Sequence, residues 1–192
     1  MPKLYLVRHA KPAASWGEQA DPGLDPLGLE QARATAVALS SQLTPLPLYT
    51  SPMLRCRETA APLESQWRTT ASVFPEVAEI PSPPLHPGAR QEWLQAAMQG
   101  TWQSLQASTP PGSPDLFAWR RDLLAALCAL HEDSVIFSHY VVLNVVIGAA
   151  TGSDDVVCFR PDHGSVTTVE TSGTNFRVIE LGRQASTTAL AR

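Results

Sequence analysis

Apolar positions in this chain follow two rhythms in alternation, short uninterrupted runs and longer stretches that recur every three or four residues. Leu4-Tyr5-Leu6-Val7 and Val135-Ile136-Phe137 are apolar throughout, as suits strands covered on both faces of a parallel sheet. The first run ends at Arg8. Asp25 is placed to cap a helix whose first position is Pro26, and Leu29, Ala32, Ala36, Leu39 and Leu43 then recur at helical steps. Pro45 to Tyr49 reads as a short strand limited by its prolines. Thr50-Ser51-Pro52 supplies an N-cap and an early proline for a second helix, running to about Gln66.

Residues 69–74 are β-prone, whereas Pro75 to Gly88 is dense in proline and reads as an irregular loop, not a packed element. Helical periodicity returns over about Ala89 to Leu105 and Asp115 to Leu130, broken by Thr109-Pro110-Pro111-Gly112-Ser113-Pro114. A buried helix is expected from about Tyr140, and Ser165 to Glu170 with Phe176 to Leu181 reads as a hairpin around Gly173. Past Gly182 the tail is expected to fray. This order predicts an α/β fold, a three-layer sandwich with a mainly parallel central sheet, an antiparallel edge and a small helical lid insertion over about 81–114. With 192 residues and 44% hydrophobic composition, one core suffices, so a single domain over 1–192 is expected.

Charge removes several function classes. The formal net charge is −4, from 14 basic and 18 acidic residues, and no basic stripe of the kind that neutralises a nucleic-acid backbone is present. The longest apolar stretch, Val141 to Ala150, carries Asn144 and is shorter than the roughly 20 residues a membrane span needs. Neither nucleic acid nor membrane is an expected partner. Cys56, Cys128 and Cys158 are odd in number and widely spaced, so they suggest packing residues and no disulfide framework or metal site. Together with an N-terminus that lacks a signal-peptide pattern, this points to a cytoplasmic location. No cofactor is expected.

Arg8 and His9 follow the first strand, Arg55 lies early in the helix after the second, and His139 follows the Val135 to Phe137 strand. In open α/β sheets ligands bind outside the carboxyl ends of the strands, so these four side chains can converge. Two arginines with two histidines suit a phosphoryl group, whose oxygens match guanidinium forks.

The segments LYLVRHAKP, YTSPMLRCRETA and VIFSHYVVLN, in this order, resemble the histidine phosphatase, or phosphoglycerate mutase-like, superfamily over nearly the whole chain. The resemblance implies that His9 takes up the phosphoryl group, that Arg8, Arg55 and His139 complete the pocket, and that a carboxylic acid beyond the Ser-Pro-x-x-Arg helix protonates the leaving oxygen. Glu79 is the candidate acid, with Glu76 as the alternative. The leucine common before that acid is absent here, and Ala10 and Tyr140 stand where many members have glycine.

His86, Arg90, Tyr140 and His163 are candidate substrate contacts, although His86 and Arg90 also fit a surface loop and helix start, and His163 also fits a turn. Arg57 fits a solvated helix face, His131 a helix C-terminus, and Trp93, Trp102 and Trp119 the core. The leading expectation is a metal-independent phosphomonoester phosphatase acting on a small phosphorylated metabolite through a phosphohistidine. A phosphoglycerate-type mutase and a non-catalytic phosphate-binding or signalling module are the alternatives. Only His86, Arg90, Arg120 and Arg121 offer a mutase the extra basic groups it needs for a substrate carboxylate.

Overall fold

A computed structural model describes residues 1–14 and 21–185 of the chain. In order these form β1 (Lys3–Arg8), α1 (Pro26–Gln42), β2 (Leu48–Thr50), α2 (Leu54–Trp67), β3 (Ser72–Val73), α3 (Pro87–Ala97), α4 (Trp102–Ser108), α5 (Leu116–Cys128), β4 (Ser134–Ser138), α6 (Tyr140–Thr151), β5 (Val166–Ser172) and β6 (Asn175–Glu180). The strands make one sheet in the order β3-β2-β4-β1-β5-β6. β1 to β4 run parallel, and β5 and β6 form the antiparallel edge.

Alternation along the central strands explains the layering. Leu4, Leu6 and Ile136 face a core completed by Trp102, Leu105, Leu116, Leu123 and Leu127 from α4 and α5 and by α6. Their neighbours Val7, Val135 and Phe137 face the opposite side, where Ala36 and Leu39 of α1 and Cys56, Ala60 and Leu63 of α2 cover them. Both faces are therefore apolar, as a parallel sheet requires. α6 is buried from Val141 to Gly148, which accounts for its apolar composition on all sides.

Several boundaries differ from the expectations. α2 begins at Leu54, later than the Ser51 cap predicts, after Met53, which makes no side-chain cap; Ser51 Oγ lies 2.7 Å from His139 and accepts only the Met53 amide. Pro75 to Gly88 is partly packed: Pro75–Val77 forms a 3-10 turn, and Val77 and Ile80 are buried in the core. The helix expected over Ala89 to Leu105 is two helices, since Thr101 opens α4 with a reciprocal capping box to Ser104. α3 begins at Pro87, with His86 accepting from the Ala89 amide. Residues 183–185 do not fray, because Arg183 pairs with Asp162 at 2.9 Å and Gln184 bridges to Pro161; the remaining tail, 186–192, lies outside the described residues. Among the described residues no helix is long and apolar enough to cross a membrane.

Candidate active site

Sheet register builds the site. Arg8 pairs with Ser138 and Thr50 with Phe137, so the residues one step beyond, His9, His139 and Ser51, emerge side by side from β1, β4 and β2. Hydrogen bonds extend the ladder past the strand ends, from the His9 amide to the Ser138 carbonyl and from the Ser51 amide to the Phe137 carbonyl, both 2.9 Å. α2 then grips the turn: Thr59 Oγ1 accepts from the Ala10 amide at 3.0 Å and donates to the Arg55 carbonyl. The His9 and His139 ring centroids lie 5.4 Å apart, roughly edge to face.

His9 is 6% exposed. Its Nδ1 is 2.8 Å from the Ala10 carbonyl, which can only accept, so Nδ1 carries the proton and Nε2 keeps its lone pair. Burial first, and then His139, Arg8 and Arg55, hold His9 well below the usual histidine range, outweighing that hydrogen bond. The ring is therefore neutral near pH 7.

Arg8 has its guanidinium 4.9 Å from the Tyr140 ring centroid. Its Nη1 donates to the Pro161 carbonyl and its Nη2 to His163 Nε2, each at 2.9 Å, while the buried Nε has no partner among the described residues. Desolvation lowers this guanidinium only to about 10, so it stays charged. An unpartnered buried donor on a fixed cation is a ready contact for an anion. The His163 backbone approaches because Gly164 takes a left-handed φ of 67° and donates to the Arg8 carbonyl.

Arg55 is 6% exposed and its Nη2 donates to His139 Nδ1 at 3.1 Å. Asp21 lies 3.9 Å from Nη1 and accepts from the Leu54 amide at the start of α2. His139, fully buried, is held below the usual range by desolvation and then by Arg55 and Arg8. Glu79 Oε2 is 3.5 Å from His139 Nδ1. Desolvation raises the Glu79 carboxyl above the ordinary range, against the Ile80 amide, Arg55 and Arg8.

The structure thus brings Arg8, His9, Arg55, Glu79 and His139 together, with Tyr140 and His163 against Arg8. Glu76, three residues from Glu79, is exposed. His86 caps α3 and Arg90 turns back towards the Leu85 carbonyl, so neither bonds to the cluster. Arg57 and His131 are exposed. Trp102 is in the core, with Trp93 and Trp119 packed on it. Thr59 and Asp21, which brace the Ala10 turn and Arg55, escaped the sequence reading, as did two neighbours of His139. Ser51 Oγ is 2.7 Å from His139 Nε2, and Cys56 Sγ is 3.5 Å from the same nitrogen. Ser51 was readable only as a cap, and Cys56 only as packing. Among the described residues no group of three or more His, Cys, Asp or Glu side chains is placed to hold a metal ion.

Comparisons with known proteins bear on the family and the fold. The family model of the Histidine phosphatase superfamily (branch 1) matches residues 4–184. No curated protein matches. Among solved structures, phosphoglycerate mutase from Thermus thermophilus is 26% identical, covering 95% of this chain and 99% of that one, with a TM-score of 0.64. Mycobacterial glucosyl-3-phosphoglycerate phosphatase in complex with VO3 is 22% identical, covering 97% of this chain and 100% of that one, with a TM-score of 0.72, and shares the fold. With a family match across nearly its whole length and an α/β sheet that gathers two arginines and two histidines at its carboxyl edge, the chain belongs to the histidine phosphatase superfamily, branch 1.

Proposed function

We propose that the chain is a phosphomonoester phosphatase that acts on a small phosphorylated metabolite through a phosphohistidine on His9 and needs no metal ion. The observation that carries this reading is the free Nε2 of a neutral, buried His9, its other nitrogen tied to the Ala10 carbonyl, beside two charged guanidinium groups. His9 Nε2 attacks phosphorus, and the bond from phosphorus to the leaving oxygen breaks. Arg8, Arg55 and His139 stabilise the charge spread over the equatorial oxygens, the main task in phosphoryl transfer. Glu79, protonated as its burial favours, gives its proton to the leaving alkoxide. A water molecule then loses a proton to Glu79 and attacks phosphorus, the phosphorus–nitrogen bond breaks, and neutral His9 returns.

A phosphoglycerate-type mutase is the second reading, favoured by the likeness to the Thermus enzyme. The test is a panel of phosphomonoesters and phosphoglycerates offered to purified protein after exhaustive chelation. Release of inorganic phosphate at an undiminished rate is expected. Strict dependence on added magnesium or zinc would overturn the metal-free mechanism, and isomerised phosphoglycerate without free phosphate would select the mutase.

A further inference from the structure

Ser51 belongs to the motif that supplies Arg55, yet the mechanism above gives it no task. The residue is fully buried, and its amide is fixed to the Phe137 carbonyl. Its Oγ lies 2.7 Å from His139 Nε2 and accepts from the Met53 amide at 3.3 Å. On the other side of the same ring, Arg55 Nη2 approaches Nδ1 at 3.1 Å. A guanidinium can only donate, so Nδ1 must present its lone pair. The single proton of neutral His139 then sits on Nε2 and points at Ser51 Oγ. A hydroxyl serves here as acceptor with no charge of its own, at a fully buried position.

We infer that Ser51 is a positioning residue that keeps the His139 proton on Nε2, so that the pocket-facing Nδ1 is the basic nitrogen that takes up a proton when a dianionic phosphoryl group enters. This rests on the reading of the cluster as a phosphoryl site. On entry, Arg55 turns its Nη2 hydrogen from Nδ1 to a phosphoryl oxygen. Nδ1 binds one proton from solvent, and His139 becomes an imidazolium donating to the phosphoryl oxygen through Nδ1 and to Ser51 Oγ through Nε2. One proton is taken up and one charge is gained. The groups that face the ring are Arg55 and Cys56 from α2, Glu79 beyond β3, and Arg8 and His9 from the end of β1. The cations oppose protonation in the empty site, and the arriving dianion reverses that balance. Burial pushes the Cys56 thiol up, so it stays neutral at 3.5 Å from Nε2 and adds no charge beside the ring.

The test is nitrogen-15 NMR of the His139 ring in the whole chain, alone and with inorganic phosphate, in the parent protein, Ser51→Ala and Ser51→Thr. In the empty parent protein the signals are expected to show hydrogen on Nε2 and none on Nδ1. Saturating phosphate should protonate both. Ser51→Ala should lower the pH at which the phosphate-bound ring titrates and reduce kcat about tenfold to a hundredfold, as for loss of a hydrogen bond to a charged group, with KM little changed. Ser51→Thr, which keeps the hydroxyl, should restore most of both. A proton on Nδ1 in the empty parent protein overturns the inference without any variant having to fold, as does a Ser51→Ala ring that titrates like the parent. Phosphate that fails to bind while Nε2 is protonated instead counts against the phosphatase reading, with the tautomer assignment intact.

Discussion

Glu79→Gln removes a transferable proton while preserving the shape of the side chain, and its effect should depend on the leaving group. The carboxyl is 15% exposed with Oε2 3.5 Å from His139 Nδ1, and burial raises its affinity for a proton. An amide keeps a hydrogen-bond donor in the same place but cannot release it to an alkoxide. General acid catalysis contributes roughly a hundredfold to ten-thousandfold, or about 2.7 to 5.4 kcal/mol of transition-state stabilisation. On an alkyl phosphate, whose leaving group is strongly basic, nearly all of this should disappear from kcat/KM. On 4-nitrophenyl phosphate, whose leaving group departs without a proton, the loss should stay within about tenfold. Glu76→Gln is the control, since an exposed carboxylate outside the cluster should change either rate less than about twofold. Steady-state kinetics on the two substrate types decide the matter. Equal losses for Glu79→Gln on both, or a leaving-group-dependent loss in Glu76→Gln, would refute the assignment.

Two further predictions concern stability. His9, His139 and His163 are each held below the usual histidine range in the folded protein, chiefly by desolvation, His163 to about 4. Below about pH 6.5 the unfolded chain therefore binds more protons than the native one, and stability should fall as pH drops from 7 to 5. Glu79 is raised and works in the opposite direction, its contribution being lost as pH rises from its unfolded value, but it is one group against three. Urea unfolding across that range measures the slope, and a midpoint that climbs on acidification contradicts the neutral-histidine site. At Gly28 an added Cβ would sit 2.1 Å from the Lys11 carbonyl oxygen, where α1 crosses the loop beyond His9. Gly28→Ala should cost about 1 to 3 kcal/mol in urea unfolding through this backbone clash, and an unchanged midpoint would disprove the close approach.

The layers of the fold were legible because the central strands are short apolar runs and α1 carries a clear helical repeat that starts from a recognisable cap at Asp25. The convergence of His9 and His139 was legible as well, since both directly follow strands that a parallel sheet places side by side. What escaped were contacts that local pattern does not encode. Ser51 followed by proline has the form of a helix cap, but the register of β2 against β4 delivers its hydroxyl to His139 first. Pro75 to Gly88 looks too rich in proline to pack, yet Val77 and Ile80 find the core once β3 fixes the start of the segment, and this anchors Glu79 between them. His163 looked like a turn residue and is one. Its second task, accepting from Arg8, depends on the start of β5 lying against the end of β1.

The central claim is that His9 carries the phosphoryl group, and covalent labelling tests it most directly. Substrate labelled in the phosphoryl group is mixed with enzyme, quenched within one turnover at alkaline pH, where phosphohistidine survives, and the labelled peptide is mapped. Label is expected on Nε2 of His9, with both label and turnover abolished in His9→Ala. His139→Ala should still accept label at a rate reduced on the order of a hundredfold, as for loss of one preorganised donor. Label on His139 or on a carboxylate, or continued turnover with no label on His9, would contradict the mechanism.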